Sequence, residues 1–259
     1  DWTWTKGAHT LAWGVQFLTF WQIARFAAAP GLQTGMAAVL LGVLMAWLLK
    51  SMLSWRMLRD EVGEVESALR HSLPAGRERL SWLVSRDTDT LSESEVRESA
   101  IEALAENLND SVVAPIFWFV LFGLPGAAAY RFANTADAMW GYRGLRHGVN
   151  WEWAGKWAAW ADDMLSWLPA RLTALFLALA AGGLPFKTLG REARKTPSPN
   201  SGWPMAAMAL ALGVALRKPG VYTLNPLGRS PGAADTLRAQ KYASKALVAH
   251  VLWAQVAIL

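Results

Sequence analysis

Residues 102–110 read EALAENLND and residues 111–130 read SVVAPIFWFVLFGLPGAAAY, an acidic helical pattern running straight into an uncharged apolar stretch. Glu102, Glu106 and Asp110 recur every four residues. On one α-helix they form a single stripe, with neighbouring Cβ atoms about 6 Å apart. Like charges at that spacing oppose helix formation, so the pattern predicts that a metal ion, a cationic ligand or water compensates them. No charge interrupts Ser111 to Tyr130, and about 20 apolar residues cross a bilayer core. Carboxylates at the edge of a membrane segment mark a functional site.

A second uncharged run extends from Phe26 to Leu49, and shorter ones from Leu172 to Phe186, Ser201 to Leu216 and Ala246 to Leu259. Each shorter run suits a short span, a re-entrant piece or a buried helix. A soluble bundle would have to hide two long uncharged runs, which soluble domains rarely do. Sixteen Trp and 53% apolar residues agree with membrane placement. The expected fold is therefore all-α, a polytopic integral membrane helical bundle. Pro115, Gly123, Pro125 and Gly126 predict a broken or re-entrant path through 111–130. Residues 1–259 are read as one membrane-embedded domain with a polar helical insertion over about 54–110, where 13 acidic residues lie.

Within that insertion, Glu61, Val62, Val65, Ala68 and Leu69 give a helical period stopped by Pro74 and Gly76. Ser92 with Glu95 reads as a capping box opening a helix that runs through Asp110. Residues 1–53 predict one or two membrane helices with a break at Pro30 and Gly31, residues 217–245 a basic loop, and no stretch predicts a strand of useful length. The absence of cysteine excludes disulfides, thiolate zinc sites and Cys nucleophiles. A net charge of +5 suits anionic lipid or phosphorylated ligands. It is too diffuse for nucleic acid, and no basic run alternates with aromatics. The four His are scattered. Gly228–Gly232 matches G-x-S-x-G, but Pro231 lacks the backbone N–H an oxyanion hole needs.

Four further polar clusters carry possible chemistry: Arg86-Asp87-Thr88; Asn134 to Tyr142 (NTADAMWGY); Asp162-Asp163 with Arg171 beyond; and Ser198 to Pro204 (SPNSGWP). Each also has a structural reading. Asn134 and Asp137 could cap a helix, Asp162-Asp163 could be a solvated face, and SPNSGWP could be a turn. Carboxylates and amide oxygens suit Mg²⁺, above all where phosphates share the ion.

Taken together, RDT at 86–88, the Glu102–Asp110 string followed by VVAP, NTADAMWGY, DDMLSWLPAR at 162–171 and SPNSGWP resemble the CobD/CbiB family, membrane-bound adenosylcobinamide-phosphate synthases of cobalamin biosynthesis. The motifs follow the family's order and cover residues 80–225. Ala103, Asn109, Ser111, Ala138 and Ser166 depart from its pattern. The family's opening segment is not found, and the chain begins at Asp1, so a missing native start is expected. The resemblance implies an amide-forming ligase that joins adenosylcobyric acid to aminopropanol or its phosphate, using ATP and Mg²⁺. It implies Glu102, Glu106, Asp110 and Asp137 as metal or ammonium ligands and Glu106, Asp162 and Asp163 as catalytic groups. It further implies Arg86, Asn107, Asn134, Arg171, Ser198 and Asn200 as substrate-binding residues. The expected location is the inner membrane, multi-pass in lipid, with the site facing the cytoplasm. The alternative is a non-catalytic, AmpE-like signalling protein of the same superfamily.

Overall fold

The computed structural model describes residues 36–141, 144–146 and 149–258. The expected break at Pro30 and Gly31 lies outside them. The described residues are mainly helical: α1 (Met36–Ser51), α2 (Trp55–His71), α3 (Leu73–Ser81), α4 (Glu93–Leu108), a π-turn (Asn109–Val113), α5 (Ala114–Trp140), α6 (Glu152–Ala180), α7 (Phe186–Ala193), α8 (Gly202–Leu212) and α9 (Ala233–Ile258). Two short antiparallel hairpins interrupt it, β1 (Leu145–Arg146) with β2 (Val149–Asn150) and β3 (Leu216–Lys218) with β4 (Tyr222–Leu224). Three helical stretches, Leu40–His71, Glu93–Trp140 and Gly155–Ala180, are long and apolar enough to cross a membrane. The all-α membrane architecture expected from the sequence is thus present.

The chain divides into two compact units, one containing 114–165 with α1, the other containing 54–113 and 166–257. In the first, Leu48 and Met52 pack with Leu124, Ala127 and Ala128. The break expected in 111–130 falls at Gly123, whose φ of 65° and ψ of −156° lie in a region that essentially only glycine occupies. Pro125 follows where the helix restarts, a position at which its missing N–H costs nothing. In α6, Pro169 likewise removes the N–H that would bond the Leu165 carbonyl. The Trp118 indole N–H donates to that carbonyl instead, at 3.0 Å.

In the second unit α4 is the centre, buried continuously from Val96 to Ala105 and packed against α2, α3, α8 and β3. Its start is the expected capping box: Ser92 accepts from the Glu95 N–H, and the Glu95 carboxylate accepts from the Ser92 N–H at 2.7 Å. The period from Glu61 stops at His71, just before Pro74 as expected, and Pro74 then stands in the first turn of α3 after its N-cap Ser72. Residues 217–245 correct the sequence reading, since β3–β4 and the first half of α9 replace the expected loop. Three-residue strands are too short for period-2 alternation to be seen.

A second correction concerns the stripe. The α-helix ends at Leu108, and Asp110 sits in the π-turn beyond it rather than on α4 with Glu102 and Glu106. Groups loosened by this turn find tertiary partners. The Ser111 carbonyl accepts from the Ser54 N–H at 3.2 Å, the Val113 carbonyl from a ring N–H of His250 at 3.1 Å, and the Asn109 side-chain oxygen from the Thr173 hydroxyl at 3.1 Å.

Candidate functional site

The sequence-predicted residues fall into clusters within each unit. In the second unit, Glu102 projects from the buried core of α4 and is 1% exposed. One of its oxygens accepts from Arg86 Nη2 at 2.8 Å, while Arg86 Nη1 donates to Ser99 Oγ at 3.1 Å. The other Glu102 oxygen is buried, and the Tyr222 hydroxyl faces the carboxylate. The β3–β4 hairpin covers this face with Lys218 and Tyr222, both turned toward Glu102. Burial first, then the carboxylates of Glu102 and Glu106, push the Tyr222 phenol well above its usual value.

One turn earlier stands Glu98, which sequence reasoning missed. It is fully buried, with the Arg217 guanidinium at 3.5 Å and the Arg217 backbone N–H facing its carboxylate. The acidic face of α4 is therefore Glu98, Glu102 and Glu106, one turn earlier than the expected stripe. The signal was present as a carboxylate four residues before Glu102. The hairpin residues Arg217, Lys218 and Tyr222 carried no local signal, because a hairpin joins them to α4 from more than 110 residues away. Asn107 does not face this cluster with its amide N–H, which donates to the Ala103 carbonyl of its own helix at 2.9 Å. Asp110 accepts from the Asn109 amide at 2.8 Å.

A second group in the same unit gathers Arg171, Ser198 and Asn200. The Arg171 guanidinium lies between two indoles, 4.1 Å from the Trp167 ring and 4.9 Å from the Trp203 ring. It donates to Asn200 Oδ1 at 3.2 Å and to the Trp167 carbonyl. Such stacking fixes the plane of the fork, the arrangement that suits recognition of a flat or tetrahedral anion. Ser198 Oγ accepts the N–H groups of Asn200 and Ser201 at 3.2 and 3.3 Å, so it shapes the loop. Gly202 is required there: a Cβ would strike the Ala193 carbonyl.

The first unit holds the third group. Asn134 accepts from Arg131 at 3.2 Å and donates to Asp162 Oδ1 at 3.1 Å, joining α5 to α6. Asp137 lies close enough to Asp163 for their charges to interact. Asp163 also lines a cavity of about 360 Å³, with Gly141, Glu152, Gly155, Lys156 and Trp160 around it.

For the expected magnesium, no three His, Asp or Glu side chains among the described residues group closely enough to hold a metal ion by themselves, and Glu102 is engaged by Arg86.

Comparison with known proteins gives one consistent answer. The family described as "CobD/Cbib protein" matches residues 3–249. The chain is 47% identical over 184 residues to "Probable cobalamin biosynthesis protein CobD" of Methanothermobacter thermautotrophicus, covering 68% of this chain and 60% of that one. It is 44% identical over 180 residues to "Cobalamin biosynthesis protein CobD" of Brucella melitensis, covering 66% and 54%. It is 39% identical over 218 residues to the protein of that name from Rhodobacter capsulatus, covering 80% and 67%. In the first of these the match spans 60% of the relative's length, so the chain corresponds to only part of such proteins. No solved structure matches.

Proposed function

Because this chain belongs to the CobD/Cbib family of cobalamin biosynthesis, we propose that it takes part in the step joining adenosylcobyric acid to aminopropanol or its phosphate as an amide. The observation that carries the reading is the buried face of α4, where Glu98 and Glu102 are withdrawn from solvent and faced by Arg86, Arg217 and Tyr222. Buried charges are costly unless paired, and such clusters mark candidate sites.

The chemical difficulty is that a carboxylate is a poor electrophile. In the proposed route a substrate propionate oxygen attacks the γ-phosphorus of ATP, and ADP departs, leaving an acyl phosphate. The amine nitrogen then attacks the acyl carbon, inorganic phosphate leaves, and the nitrogen gives up a proton to a base. Arg86 and the indole-stacked Arg171 are assigned to the anionic oxygens, whose charge they offset. Within the other unit, Asn134 holds Asp162 in place. Asn200 and Ser198 set the loop that orients Arg171. Glu106, at the end of the acidic face, orients the cationic partner. No step is routed through a protein-held metal ion.

The test is product formation by the purified chain in detergent, supplied with adenosylcobyric acid, aminopropanol or its phosphate, ATP and Mg²⁺, read by mass spectrometry with ADP release. The expected result is one ADP per amide formed, and loss of at least about a hundredfold in turnover for Glu106→Gln, the scale of a lost electrostatic contact in a transition state, with unchanged membrane accumulation. Full turnover in that variant removes the α4 face from the mechanism. No product from the unaltered chain sinks the synthase reading and favours the non-catalytic signalling role.

A further inference from the structure

The π-turn at Asn109–Val113 is held by three helices of its own unit. The backbone N–H of Ser54, at the start of α2, donates to the Ser111 carbonyl at 3.2 Å. The Thr173 hydroxyl of α6 lies 3.1 Å from the Asn109 amide oxygen and 2.9 Å from the Pro169 carbonyl. His250 of α9 reaches the Val113 carbonyl with Nε2 at 3.1 Å. Thr173 and His250 stand 64 and 137 residues away from the groups they meet. Turns of this kind are rare and lie frequently at functional sites.

His250 is the partner that packing alone does not explain. It is fully buried, with its ring 5.2 Å from Phe176 and stacked on Trp253 at 5.3 Å. A carbonyl only accepts, so Nε2 carries the hydrogen and Nδ1 is bare. Among the described residues Nδ1 has no hydrogen-bond partner, which costs stability. A phenylalanine would pack against the same two rings without that cost. What histidine adds is the single N–H on Val113. The turn it closes carries Asn109 and Asp110, and the Asn109 amide N–H donates to Asp110 Oδ1 at 2.8 Å. The Asp110 carboxylate is thus aimed from a turn that His250 holds shut. We propose that His250 is a positioning residue for Asp110, and that Asp110 so held shares with Glu106 the cationic partner of the reaction. The role of Asp110 rests on the synthase reading above, whereas the hold of His250 on the turn rests on the geometry alone.

The test compares the full chain in detergent with His250→Phe, His250→Gln, Asp110→Asn and the double variant His250→Phe with Asp110→Asn. Hydrogen exchange, read by mass spectrometry, is followed alongside amide formation. In His250→Phe the amides of residues 109–118 are expected to exchange at least about tenfold faster, the scale of one lost buried hydrogen bond. Residues 96–105 are expected to change by less than about threefold. Amide formation is expected to fall at least about tenfold. A glutamine side chain places an N–H where Nε2–H stood, so His250→Gln is expected to return both readings to within about threefold of the unaltered chain. The double variant is expected to be no more than about threefold slower than Asp110→Asn, because His250 acts through Asp110. Losses that multiply, unchanged exchange at the turn, or a folded His250→Gln chain as impaired as His250→Phe overturns the proposal. Should His250→Phe not accumulate as folded protein, His250→Met is read by the same criteria. Full turnover by a His250→Phe chain whose turn exchanges fast also overturns it and keeps the synthase reading. Fast exchange with no product from any chain, the unaltered one included, leaves the hold on the turn standing and removes the synthase reading.

Discussion

Glu66 and Glu98 are both buried carboxylates of the second unit, each opposite an arginine, and they are held in opposite ways. Glu66 meets Arg97 through two hydrogen bonds of 2.9 and 3.0 Å and also accepts from the Thr236 hydroxyl at 3.1 Å. Its ties reach 31 and 170 residues along the chain, so it fastens α2 to α4 and α9. Glu98 has Arg217 at 3.5 Å and no side-chain hydrogen bond. Glu102, one turn on, is held by Arg86 through one oxygen, with Tyr222 facing its carboxylate. A buried carboxylate with both oxygens hydrogen-bonded is costly to disconnect; one held less fully is a candidate for a ligand or a reaction. Arg97, which holds Glu66 of α2, stands directly before Glu98 on α4, so scaffold and candidate site are separated within one turn.

The largest effect should follow from breaking the scaffold pair. Glu66→Ala leaves Arg97 buried without its fork partner and should cost about 3–5 kcal/mol, read as a lower unfolding temperature in detergent. A small change there would mean that the two carboxylates are not different in kind. Glu98→Met should move stability by about 1 kcal/mol or less, in either direction, because the half-exposed Arg217 can turn to solvent. A loss comparable to that of Glu66→Ala would place Glu98 with the scaffold.

The smallest effect concerns the acid side of the hairpin. Hydrogen bonds from Arg229 hold the Asp235 carboxyl below its ordinary value against the opposing pull of burial. A depressed folded pKa contributes stability above the unfolded value of about 3.9, and that contribution fades as pH falls through the folded value. The stability difference between the unaltered chain and Asp235→Asn should therefore be constant above about pH 5 and shrink below about pH 4. A difference that grows on acidification would contradict the pairing.

Much of this was legible in the residues. Ser92 and Glu95 announced the start of α4 because a capping box is local. The uncharged runs announced membrane helices because bilayer thickness sets their length. Gly123 was one of four breakers named in its segment, and only backbone geometry shows that it carries the positive φ while Pro125 merely restarts the helix. Arg171 and Asn200 were each visible as single polar residues, but their meeting depends on a turn held by Ser198 and on two indoles. The π-turn left no trace in the sequence, since Asn109 to Val113 suits an ordinary helix as well. Its partners, His250 and Thr173, lie far along the chain. Glu98 was hidden for a related reason. Its meaning depends on Arg217 arriving on a three-residue strand, and local periodicity does not report a partner so distant.

The decisive measurement pairs turnover with unfolding temperature for Glu102→Gln and Glu66→Gln in the same detergent. Glu102→Gln should keep its unfolding temperature to within a few degrees, the scale of about 1 kcal/mol, and lose nearly all amide formation. Glu66→Gln should lose stability and keep the activity of whatever fraction remains folded. Undiminished amide formation by a folded Glu102→Gln chain would contradict the account.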